Sequence, residues 1–66
     1  MTITVETRRV STVESHVIRG GDRDARRAKA REIAESVDAD RFLGATVLSA
    51  NGEEFVEVMM RAEATS

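Results

Sequence analysis

The chain opens with strand-like alternation, in which Ile3 and Val5 share one face while Thr2, Thr4 and Glu6 share the other. Apolar residues then recur at Val10, Val13 and Val17. That change of parity requires a bulge or a turn between Arg8 and Thr12. Two strands, roughly 2–9 and 12–19, are expected, with one long bent strand as the alternative because Arg-Arg-Val-Ser-Thr is a poor hairpin turn. Gly20-Gly21 breaks the pattern. Asp22 or Asp24 then offers an N-cap, and the run from Ala25 to Val37 has neither Gly nor Pro, which predicts a helix. At about 100° per residue Ala30, Ile33, Ala34 and Val37 fall in one stripe and are expected to face a sheet.

A polar connection, 36–41, leads to the clearest pattern in the chain. Asn51-Gly52 can adopt the positive φ values of a type I′ turn, between two β-prone runs. A two-residue turn pairs 50 with 53, 48 with 55, 47 with 56, 46 with 57, 45 with 58, 44 with 59 and 43 with 60. One face then collects Leu43, Ala45, Val47, Val56, Val58, Met60 and Ala62, an apolar surface for the helix to cover. The opposite face collects Thr46, Leu48, Phe55, Glu57, Met59 and Arg61, which is half apolar. The fold class expected is α+β: a two-layer antiparallel sheet, β-β-α-β-β or, if the N-terminal strands are one, β-α-β-β. One helix packs on one face, within a single domain of residues 1–66.

Size changes how that second face is read. A chain of 66 residues buries only about 60% of its surface on folding, and with no Cys and one His this one has neither disulfides nor an obvious metal site to stabilise it. Self-association or docking on a larger partner is the remaining route. A two-layer domain with one helix covers one side of its sheet, so Leu48, Phe55, Met59 and Arg61 are the candidate protein-binding residues, with a homodimer through this face or through an edge strand as the simplest assembly. No apolar run approaches the ~20 residues of a membrane span, and no signal-peptide core follows the N-terminus, so a cytoplasmic protein with no membrane partner is expected.

Net charge is −2, but it is segregated. Residues 8–31 carry +5 and residues 32–66 carry −6. Such polarity points to an electrostatic partner, or to two halves that face each other within the fold. On the helix Arg23, Arg27 and Arg31 form an i, i+4, i+8 ridge that is unfavourable for the helix by a few tenths of a kcal/mol per pair, partly relieved if Arg31 reaches Glu35. With Arg19 the ridge is a candidate anion or nucleic-acid contact; the alternative is a solvated helix edge. Against nucleic acid stand the acidic balance of the whole chain, the lack of an aromatic residue near the basic stretch, and a spacing that fits no helix-turn-helix, ribbon or zinc pattern.

Catalytic chemistry is not expected. Ser15 and His16 are strand neighbours that point to opposite faces, and alternation against Val13 and Val17 puts His16 on the solvent side. Glu53-Glu54 and Asp38-x-Asp40 lack calcium-loop spacing, and Gly20-Gly21 matches neither the Walker nor the dinucleotide pattern. No metal or cofactor is implied.

Three segments carry a resemblance: Ala28-Lys29-Ala30-Arg31-Glu32-Ile33-Ala34 on the helix, Phe42-Leu43-Gly44-Ala45-Thr46-Val47-Leu48 entering the hairpin, and Asn51-Gly52 at its tip. Over residues 28–56 this order resembles small phage-encoded anti-CRISPR proteins of strand–helix–hairpin type. The resemblance implies a compact, non-enzymatic viral inhibitor that docks on a host nucleic-acid-guided defence complex. It implies no particular functional residue, and the acidic C-terminal strand departs from the group in lacking aromatic residues. The function expected is a non-catalytic protein-binding module, self-associating, with nonspecific nucleic-acid binding through the Arg-rich helix as the alternative.

Overall fold

A computed structural model describes residues 2–62. Its elements follow in the order β1 (Thr4–Val10), β2 (Val13–Arg19), α1 (Arg23–Glu35), β3 (Phe42–Ala50) and β4 (Glu53–Arg61). The strands form one antiparallel sheet in the spatial order β1-β2-β4-β3, with α1 on one face, so the fold is two-layer α+β. β2 and β4 are central; β1 and β3 are edges.

The parity change near Arg8 to Thr12 is a hairpin. Val10 pairs with Val13 across a two-residue loop in which Ser11 takes φ 57°, a value disfavoured for a residue with a Cβ. Beyond β2, Gly20 and Gly21 take φ 85° and 61°. A Cβ on Gly20 would strike the Thr2 carbonyl, and one on Gly21 would strike Ile3, so glycine lets the N-terminal segment lie against the turn. Asp22 caps the helix, accepting a hydrogen bond from the Ala25 N–H at 2.7 Å. At the other end the Ser36 hydroxyl donates to the Ile33 carbonyl at 2.7 Å.

The core forms where the helix stripe meets the central strands. Ile18, Ala30, Val56, Val58 and Met60 are buried together, with Ile3, Ile33 and Val37 packed around them. Ile18 and Val58 are fully enclosed, each worth about 1.5–3 kcal/mol relative to an exposed position. A helix about 10 Å across spans two strands spaced about 4.8 Å apart, not four. Accordingly α1 makes its main contacts with β4 and β2, and the residues of both edge strands stay exposed except Gly44.

That width overturns part of the expected core face. Val56, Val58 and Met60 lie under the helix, whereas Leu43, Ala45 and Val47 are exposed, Val47 by 58%. The predicted register holds from Ala50↔Glu53 to Gly44↔Met59, but a bulge between Phe42 and Gly44 sets Phe42, not Leu43, opposite Met60. His16 is also corrected. It lies in register with Val58 and shares the helix-side face of β2 with Ile18, while Val13 and Val17 occupy the other face.

Candidate interaction surface

Three surfaces carry the candidate residues: the helix flank, the open face of the sheet, and the β3 edge. On the helix flank the opposite charges of the two halves of the chain meet. Glu54, at the start of β4, accepts from Arg23 Nε and Nη2 at 3.1 and 3.2 Å and from Arg26 Nη2 at 3.3 Å. Arg26 Nη1 also donates to the Gly20 and Gly21 carbonyls, at 3.2 and 2.9 Å, which ties helix, turn and hairpin together. The hydrogen bond from Arg23 holds the Glu54 carboxyl below the usual carboxylate range; partial burial opposes it, and the charges of Arg23 and Arg26 add to it. The same contact raises Arg23. Arg26 was not anticipated as part of any site. The signal lies in its position four residues before Ala30, on the buried stripe, and its side chain is only 12% exposed.

The predicted cationic ridge is therefore broken up. Arg23 is engaged by Glu54, and Arg19 lies elsewhere, bonded to Glu53 at 3.1 Å with its guanidinium 4.4 Å from the Phe55 ring centroid. Arg27 and Arg31 form no ion pair among the described residues, and the expected Arg31–Glu35 contact is replaced by Lys29–Glu32 at 3.3 Å. Because the helix is narrower than the sheet, a groove runs along each side of it. The one toward β3 is about 340 Å³, bounded by Arg23, Arg26, Arg27 and Glu54 over Val47 and Val56.

The open face gathers Leu48, Phe55, Met59 and Arg61, as the register requires. Val17 is buried on this face, beside Glu57 and outside the main core. Arg19 covers the Phe55 ring, and Phe55 and Met59 are half-buried, so Leu48, 37% exposed, is the most accessible large apolar group of the set.

Leu48 also belongs to β3, whose edge is the third surface. Phe42–Ala50 contains no charged residue, and all but Gly44 are exposed. The hydrogen-bond phase of β4 fixes what this edge offers. The Arg61 N–H bonds the Arg41 carbonyl on the β3 side at 2.8 Å, and the Ala62 N–H bonds Thr12 on the β2 side at 2.7 Å. Alternation turns 53, 55, 57 and 59 toward β3, so their partners Ala50, Leu48, Thr46 and Gly44 face β4. Ala45, Val47 and Ser49 are left with N–H and C=O groups pointing away from the sheet.

On the helix side of β2, His16 lies between Thr7 and Glu14: Nδ1 is 3.2 Å from the Thr7 hydroxyl and Nε2 is 2.8 Å from Glu14 Oε1. The order hydroxyl, imidazole, carboxylate matches a nucleophile with its base and orienting acid. Thr7 lies on the edge strand β1, and His16 and Glu14 lie on the central strand β2. The trio cross-links β1 to β2. No group of three or more His, Cys, Asp or Glu side chains suited to a metal ion occurs among the described residues, and no helix there is long and apolar enough to cross a membrane.

Comparison with protein-family models, with curated proteins and with solved structures finds no match for this chain.

Proposed function

We propose that this chain is a non-catalytic protein-binding module that self-associates. The observation that carries the reading is β3: a nine-residue, uncharged edge strand, exposed except at Gly44, that also presents Leu48 on the open face. Unpaired edge groups favour strand addition, and apolar side chains beside them supply the burial that a domain this small lacks. The test is molar mass across a concentration series. A dimer that dissociates on dilution supports the reading, and a monomer at every concentration contradicts it.

A narrower form, in which the partner is a host nucleic-acid-guided defence complex, rests on the resemblance of residues 28–56. Retention of such a purified complex on the immobilised chain tests it. The competing reading, nonspecific nucleic-acid binding, is favoured by Arg27 and Arg31, which have no ion-pair partner among the described residues. It requires affinity that falls steeply with salt and drops when both become Ala; binding that is flat across a salt series contradicts it.

A further inference from the structure

Resting on the self-association reading, we infer that the occupant of the β3 edge is a second copy of this chain, paired antiparallel through β3 with a two-fold axis at Thr46. The two four-stranded sheets then become one.

Hydrogen-bond phase comes first. An antiparallel partner must exchange bonds with Ala45, Val47 and Ser49, the residues whose backbone groups point outward. A two-fold axis at Thr46 sets Ala45 opposite Val47 of the other copy, and Val47 opposite Ala45, so outward groups meet outward groups on both sides of the axis. Thr46 is also the midpoint of Phe42–Ala50, so this register pairs Gly44–Leu48 regularly and brings Ser49 and Ala50 to the bulge at Phe42–Gly44 of the other copy.

Side-chain size agrees with the same register. Leu48 faces Gly44 and Val47 faces Ala45, a large residue against a small one on both faces of the sheet, on either side of the axial Thr46 pair. Charge narrows the occupant further. A strand without formal charge can meet a second copy of itself with no like charges opposed and none desolvated, and β3 carries none. The other edge, β1, carries Glu6, Arg8 and Arg9, charges that strand addition would take out of water.

The rest of the molecule leaves room. Each helix sits over β4 and β2, so with strands about 4.8 Å apart the two helix axes lie about 19 Å apart, nearly twice a helix diameter. The strip between them, on the side where Val47 is exposed, becomes a shared floor flanked by the grooves of both copies.

The chain has no cysteine, so a single one reports this contact directly. At the axis the two Thr46 residues form a non-hydrogen-bonded pair with Cα atoms about 4.5 Å apart, within disulfide range. Under mild oxidation Thr46→Cys should become covalent dimer at least about tenfold faster than Arg8→Cys on the other edge. Val47→Pro, which removes an outward N–H only, should keep the wild-type circular-dichroism spectrum and be monomeric. If the wild type dimerises but Thr46→Cys links no faster than Arg8→Cys, or Val47→Pro still dimerises, this inference is overturned while self-association stands, with the open face as the contact. If the wild type is monomeric and Thr46→Cys stays unlinked, both fail and the edge is left to a strand from another protein.

Discussion

The two edges of the sheet are equally exposed and differ in chemistry. Every residue of β1 is exposed, as is nearly every residue of β3, and α1 makes its main contacts with the central strands. β1 places Glu6, Arg8 and Arg9 along its length, with Glu6 and Arg8 3.7 Å apart; β3 places no charge at all. Charged edges resist pairing with another chain because addition would desolvate or oppose the charges, so β1 has the composition of a guarded edge and β3 that of an open one. Exposure alone does not distinguish a solvated strand from a docking strand; side-chain charge and backbone phase do.

The largest effect of a substitution is expected at the centre of the sheet. Ile18→Ala removes a fully buried side chain and should cost about 2–5 kcal/mol in a urea melt. Val47→Lys, on the uncovered edge, should change monomer stability by no more than about 0.5 kcal/mol while abolishing association. Equal stability losses at both positions would make β3 part of the core after all. The next test opens the guarded edge. Replacing Glu6, Arg8 and Arg9 together by Thr should turn a discrete assembly into larger, polydisperse species in light scattering, since both edges would then accept strands. An unchanged mass distribution would show that charge is not what distinguishes the edges.

A smaller, pH-dependent effect separates the β3 hairpin from its anchor on the helix. Glu54 has a folded-state pKa below its unfolded value, so its contacts with Arg23 and Arg26 stabilise fully above the ordinary glutamate range. That contribution is lost as pH falls through the lowered value. Thermal melts of the wild type and Glu54→Gln should differ by a constant amount at neutral pH and converge below about pH 4. A difference that persists at lower pH would mean the carboxyl acts through packing. The smallest effect lies in the β1–β2 loop: Ser11→Gly relieves a positive φ and should raise stability by about 0.5–1 kcal/mol in the same melts, with association unchanged.

Much of the fold could be read from side-chain pattern because local and global signals agree. Asn51-Gly52 fixes the phase of β3 and β4, and Asp22, followed by a run without Gly or Pro, fixes the helix start. The errors fall where the pattern is symmetric. Phe42 and Leu43 are both apolar, so nothing in their order announces the bulge that sets Phe42 opposite Met60. β2 has apolar residues on both faces, Val17 on one and Ile18 on the other, so alternation alone could not place His16. The exposure of Val47 followed from helix width, a geometric limit that hydrophobic pattern does not encode. Within the candidate surfaces, Leu48, Phe55, Met59 and Arg61 were placed together by register, but the cover that Arg19 gives Phe55 is a contact between side chains 36 residues apart, which sequence spacing does not reveal.

The most direct test of β3 as the association surface is sedimentation equilibrium of the wild type beside Val47→Lys, from about 1 μM to about 1 mM. The wild type should rise from the monomer mass toward twice that value, while folded Val47→Lys stays at the monomer mass throughout. Matching curves for the two proteins, whether both monomeric or both dimeric, would show that β3 is not the association surface.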